Sequence, residues 1–256
     1  MPLKVPIPNI GSEHKTVAIV ASHADRQGRI CDLGIVFVSC DERGEVSNVL
    51  DSSFSRPPID TPSNADAIQG DGSWCHRLGA VLEVVDLVVA YDAWLQRQTV
   101  EAVHPGFVDR EWACARGDVP WAEIGFRSDR LVGIGAQLGL APRGRRARDH
   151  ARLLFHVLAH GAWGDGPYPL GYLLASVAAE TVRIFACDPP MDRQDALLRR
   201  GYRRSSGADG CPDAPFVDVR RANVGAERSF LTREIYGSEP NLLEHTLPAD
   251  QRYRRP

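Results

Sequence analysis

Cationic side chains are the most concentrated chemical groups in this chain of 256 residues. Arginine crowds into Arg143-Gly144-Arg145-Arg146-Ala147-Arg148, into Arg199-Arg200-Gly201-Tyr202-Arg203-Arg204 and into Arg252-Tyr253-Arg254-Arg255. A guanidinium keeps its charge at physiological pH and presents paired donors that match phosphate oxygens, so such clusters are what a nucleic-acid partner would need. The competing reading of each is a solvated helix end or tail, and the net charge of −3 does not by itself announce such a partner. Imidazoles at His23 and His150 are of a donor type that selects Zn²⁺ or similar ions, and carboxylates at Asp25, Asp92 and Asp149 are donors for a hard cation. Two histidines without a third ligand are more simply read as unconstrained side chains. Six cysteines are spread without a Cys-x-x-Cys pair, which argues against a zinc ribbon or a disulfide framework and fits reduced thiols in a cytosol.

Positioning such groups requires a folded frame, and the composition supplies one: 43% of residues are apolar and 25% charged, the balance of a globular protein. Two apolar runs, Val17 to Ala21 and Ile30 to Val38, flank a polar turn and read as two buried strands. Because side chains alternate along a strand, Ala21 and His23 share one face at the end of the first strand and Ser22 faces the other way. Glu45 to Leu50 reads as a third strand after the turn Asp41-Glu42-Arg43-Gly44, and Ser55 to Gly70, rich in Pro and Asp, as a loop. Leu78 to Val85 has helical spacing, Leu87 to Ala90 and Trp112 to Cys114 read as strands four and five, and Ala147, Ala151, Leu154, Phe155 and Leu158 form the inward stripe of a helix. On that helix position 150 borders the stripe and position 149 points away. Further on, Tyr168 to Ala178 and Glu227 to Tyr236 read as helices and Thr181 to Ala186 as a strand. Trp94, Trp112, Trp121 and Trp163 read as core residues. The N-terminal segment MPLKVPIPNIGS has no continuous apolar stretch and reads as neither signal nor transit peptide, and the most apolar run, Leu78 to Ala90, is too short to cross a bilayer, so the expected location is the cytoplasm.

Several segments together resemble the DEDDh 3′–5′ exonucleases, the family of the DNA polymerase III epsilon proofreading subunit (DnaQ-like). In that family an Asp-x-Glu pair ends the first strand, where this chain has Ala21-Ser22-His23. Ala90 to Arg97 resembles the second motif, "AHNxxFD", with Gln96 at the metal-binding Asp. Trp112-Ala113-Cys114, Val119 to Phe126, Leu131 and Leu138-Gly139-Leu140 resemble a sub-family's "WACSxxDIDWxxEGFxSxKLxxLxxxLGF". In Arg145 to His150, which resembles the third motif "HRALxD", Arg145 stands at the water-activating His and His150 at the final Asp. Met191 to Arg203 resembles "PFxxKDxLKxRGYRW" of bacterial epsilon-like exonucleases, and the resemblance runs from Val17 to Arg255.

The resemblance implies an α/β, ribonuclease H-like exonuclease fold, a mixed five-stranded sheet flanked by helices over residues 14–162, with a small C-terminal helical and α+β appendage over 163–256. It would also imply two Mg²⁺ or Mn²⁺ ions, but the five degenerate positions Ala21, His23, Gln96, Arg145 and His150 offer no carboxylate to hold them and no general base, so no catalytic residue, metal or cofactor is expected. The expected function is that of a pseudo-exonuclease, a pseudoenzyme that binds single-stranded nucleic acid or a 3′ end through Arg143, Arg145, Arg146 and Arg148, or acts as a regulatory or partner-binding protein. The alternatives are an active metal-dependent 3′–5′ exonuclease on DNA or RNA, and a protein-interacting scaffold that pairs with an active relative. If the three motifs are aligned correctly, Ala21, His23, Gln96 and His150 converge on one cleft with Arg145 at its mouth.

Overall fold

A computed structural model describes residues 14–24, 30–50, 73–161, 166–207, 210–240 and 242–254. Asp25, the Ser55–Gly70 loop, Trp163 and Arg255 lie outside them. The chain divides into two compact units, 1–176 and 177–256, whereas the boundary expected from the sequence lies between 162 and 163.

The first unit is built on a sheet of β1 (Lys15–Ala24), β2 (Ile30–Cys40), β3 (Val46–Leu50), β4 (Leu87–Ala90) and β5 (Glu111–Cys114) in the order β3-β2-β1-β4-β5. β1 pairs antiparallel with β2 and parallel with β4, so the sheet is mixed, and with its helices it is the five-stranded mixed α/β arrangement expected. Val17, Ala18, Ile19 and Val20 are all completely buried, which requires cover on both faces of β1 and explains why the strand reads as an unbroken apolar run instead of an alternating one. The helices are α1 (Ser73–Leu82), α2 (Ala93–Glu101), α3 (Ala115–Asp118), α4 (Leu131–Gln137), α5 (Ala147–Leu158) and α6 (Pro169–Ala178). α1 stops at Leu82, short of the expected Val85, because the amides of Val84 and Val85 donate to Val81 and Leu82 in tighter i→i+3 turns. Of the tryptophans, Trp112 and Trp121 are buried as expected, and Trp94 is half-buried.

α5 crosses the sheet against β1 and β2, and it can come this close only because position 34 is a glycine. A Cβ placed on Gly34 would lie 2.3 Å from both the Cα and the amide nitrogen of Arg148.

The second unit is α+β. Its antiparallel sheet comprises β6 (Thr181–Phe185), β7 (Arg203–Arg204), β8 (Pro215–Arg220) and β9 (Leu243–Leu247) in the order β7-β8-β6-β9, with α7 (Gln194–Arg199) and α8 (Val224–Phe230). α8 runs into a π-helical turn, Leu231–Tyr236, that ends at Gly237 with φ +70°. Val182 and Ile184 pack with Leu197, Val224, Leu231 and Ile235 in one apolar core. Alternation turns Arg183 and Phe185 to the other face, where Arg183 pairs with Asp218 across the sheet at 2.7 Å and also donates to the Arg254 carbonyl. No helix of the described residues is long and apolar enough to cross a membrane.

Candidate functional site: the rim at the end of the first strand

Ladder pairing between β1 and β4 ends at Val20 and Ala90, after which β4 turns away into α2. The next outward-facing peptide groups of β1 on that side belong to Ser22, and they need partners. Gln96, the fourth residue of α2, supplies them. Its Oε1 accepts from the Ser22 amide at 2.6 Å and from Ser22 Oγ at 2.6 Å, while its Nε2 donates to the Ser22 carbonyl at 3.3 Å. A primary amide presents a donor and an acceptor side by side, as a peptide does, so Gln96 continues the strand ladder for one more residue. A carboxylate could not, since it has nothing to donate.

On the neighbouring residue the contact is imidazole to imidazole. His23 Nε2 and His150 Nδ1 lie 3.1 Å apart, with ring centroids at 5.1 Å and planes at 77°. One of these nitrogens must donate and the other accept, so the bond requires at least one neutral ring. His150 is held below the ordinary histidine pKa, first by burial, then by His23; Asp149 acts in the opposite sense. A histidine whose folded pKa lies below its unfolded value adds stability above about pH 6.5, and this is lost as pH falls through the lower folded value. NMR titration is expected to show His150 titrating below 6.5 and moving only part of the way back in His23→Gln, because burial, the larger cause, remains. An unchanged His150 titration in that variant would contradict the contact.

The carboxylates near this rim are engaged elsewhere. Asp32, opposite His23 in the β1–β2 register, accepts from the Ala147 amide at 2.6 Å, which caps the start of α5. Asp149 accepts from the Arg146 amide at 3.1 Å. Asp92 accepts from the Leu95 amide at the start of α2 and from Arg116, each at 3.4 Å. Asp32 and Asp149 stand at the start of α5, where their negative charge offsets the conflict between the neighbouring arginines and the helix dipole.

Two of the four expected positions thus reach β1 from different helices, Gln96 through Ser22 and His150 through His23, and half-buried Ala21 lies in the same strand end. Arg145 is exposed in the segment leading into α5. Asp32 and Ser22 are the participants that motif matching missed. The sequence signal for Asp32 was an acidic residue two places before Gly34 in an otherwise apolar strand.

A pair of Mg²⁺ or Mn²⁺ ions does not fit these donors. Such ions want several anionic oxygens, and the rim offers two imidazoles bonded to each other and an amide bonded to a strand. Among the described residues no group of three or more His, Cys, Asp or Glu gathers at one point, so the imidazole pair also lacks the further ligands of a zinc site.

The basic clusters divide by environment. Arg200 pairs with buried Glu227 at 2.9 Å, and Arg204 with Asp213 at 3.0 Å. Arg252 and Tyr253 are buried, so these two residues are not part of a solvated tail. In the third cluster Arg143, Arg145 and Arg146 are exposed and their side chains make no ion pair among the described residues; Arg148 approaches Asp149 only at 4.0 Å, and its buried Nε lacks a hydrogen-bond partner.

No family model matches the chain, and no curated protein matches it. Among solved structures, the chain is similar to the nuclease domain of 3'hExo, a DEDDh family member, bound to rAMP, with 12% identity over 59% of this chain and 96% of that one and a TM-score of 0.35. It is also similar to a full-length 3'-exonuclease, with 11% identity over 57% of this chain and 60% of that one and a TM-score of 0.34. A structure of 3'-end specific recognition of a histone mRNA stem-loop by 3'-exonuclease gives 9% identity over 82% and 92% of the two chains and a TM-score of 0.37.

Proposed function

We propose that this protein is a cytoplasmic, catalytically inactive relative of the DEDDh exonucleases that binds single-stranded nucleic acid without cleaving it. The observation that carries the reading is the closed bonding at the rim: His23 is bonded to His150 and Gln96 to Ser22, with no carboxylate among them. Hydrolysis by the two-metal route needs anionic ligands and a base, and a guanidinium such as that of Arg145 has donors but no acceptor for a proton. The binding half of the proposal is supported by the exposed guanidinium groups of Arg145 and Arg146, which immediately precede α5 and make no ion pair among the described residues. A cytosolic setting is supported by the thiols. Cys40, Cys114, Cys187 and Cys211 are free.

The test is a single assay. Purified protein is mixed with end-labelled single-stranded DNA or RNA in Mg²⁺, Mn²⁺ or EDTA and scored for both retention and shortening. Retention without shortening is expected in all three conditions, with log K falling linearly as log salt rises. Arg145→Ala combined with Arg146→Ala is expected to flatten that slope by about 1.4, roughly 0.7 per phosphate contact on a single strand. Metal-dependent shortening from the 3′ end would overturn the inactive reading. Absence of retention at low salt would overturn the binding reading and leave a protein-interacting scaffold.

A further inference from the structure

α5 carries a second concave surface, on the flank opposite the rim. While His150 meets His23, the preceding residue, Asp149, lines a cavity of about 430 Å³ together with Arg143, Arg152 and His156. Val36 of β2, Val49 of β3, Leu140, Ala141, Leu153 and Phe155 complete it. We propose that this cavity is a binding site for a small organic anion: a phosphate or carboxylate group carried on an apolar ring.

Three features fix that chemistry. The volume lies in the range of small-molecule pockets, which run from about 300 to 1,000 Å³ and are mostly apolar with a few convergent polar groups. The walls from β2, β3 and Leu140-Ala141 are apolar, so they suit a ring and offer nothing to an inorganic ion alone. The polar wall is cationic: Arg143 and Arg152 are forked donors suited to phosphate or carboxylate, and Asp149, the one carboxylate on the lining, already accepts from the Arg146 amide. His156 registers both guanidinium groups, being held below the ordinary histidine pKa by burial first and then by Arg143 and Arg152. Its ring also lies against Phe155, with centroids 4.9 Å apart. A bound anion would offset the two arginines at His156 and favour the imidazolium, which adds a third donor. The charged groups on this lining are Arg143, Asp149, Arg152 and His156; β2 and β3 contribute only valine.

The cavity and the nucleic-acid cluster share Arg143 but not Arg145 or Arg146, so the two proposals can fail separately. The test is isothermal titration calorimetry of the full chain with phenyl phosphate, benzoate, inorganic phosphate and phenol. At least one of the two aryl anions is expected to bind about tenfold or more tighter than both inorganic phosphate and phenol; whichever aryl anion is tighter identifies the anionic group. Arg143→Gln is expected to weaken that binding about tenfold, and Arg199→Gln, on α7, to leave it unchanged. Lowering the pH below about 6.5 should tighten benzoate, which stays anionic there, in the parent chain and much less in His156→Gln. Failure of both aryl anions to bind at up to about 10 mM would overturn the proposal. So would inorganic phosphate binding as tightly as the aryl anions, or an Arg143→Gln variant with parental affinity and an unchanged circular dichroism spectrum.

Discussion

Replacing Asp218 by alanine is expected to destabilise the C-terminal unit by about 3–5 kcal/mol, the cost of leaving a charge buried without its partner. Arg183 sits on the central strand of that unit's sheet, 4% exposed, with two parallel bonds to Asp218 at 2.7 and 2.9 Å. Its guanidinium also lies 4.6 Å from the Phe216 ring centroid and donates to the Arg254 carbonyl. Removing the carboxylate leaves those contacts but not the countercharge. Replacing both partners, Arg183→Met with Asp218→Leu, should restore most of the loss, because apolar side chains of similar volume carry no desolvation cost. Urea unfolding followed by circular dichroism measures both. A loss below about 1 kcal/mol for Asp218→Ala would mean that the pair behaves as an exposed one.

Gly34→Ala is expected to cost about 1–3 kcal/mol or more and to open the rim. The new methyl would fall 2.3 Å from Arg148 Cα and 2.5 Å from the Ala147 carbonyl carbon, both backbone atoms that no rotamer change can clear. α5 would have to lift from β2. Asp32 would then lose the Ala147 amide and His150 would draw away from His23, so the stability loss should come with a His150 pKa moved back toward 6.5. An alanine variant as stable as the parent, with His150 titrating as before, would show that the helix does not rest on this glycine.

The architecture was readable because the central strands are covered on both faces. Val17 to Val20, Ile35 to Val38 and Leu87 to Ala90 are continuous apolar runs for that reason, and period-two alternation was enough to send Ser22 and His23 to opposite sides. The role of Gln96 was not readable. It depends on where the β1–β4 ladder stops, a fact of register between segments far apart in sequence, and an amide at a motif position carries no mark of being bonded to a strand. Asp32 was hidden in the same way, since its partner is a backbone amide on α5. For the C-terminal arginines the sequence left a solvated tail and a binding cluster side by side, and neither showed that Arg252 and Tyr253 are buried and hydrogen-bonded to each other at 2.7 Å.

The Gln96 clasp gives the rim a direction of change. On the proposed motif alignment, an engineer who sought to install a nuclease here would need carboxylates at positions 21, 23, 96 and 150 together. Aspartate at 96 could still receive the Ser22 amide but would abandon its carbonyl. Acids at 23 and 150, where ring nitrogens now approach to 3.1 Å, would repel until a cation arrived. Each single step therefore weakens the strand end before any metal can repay it.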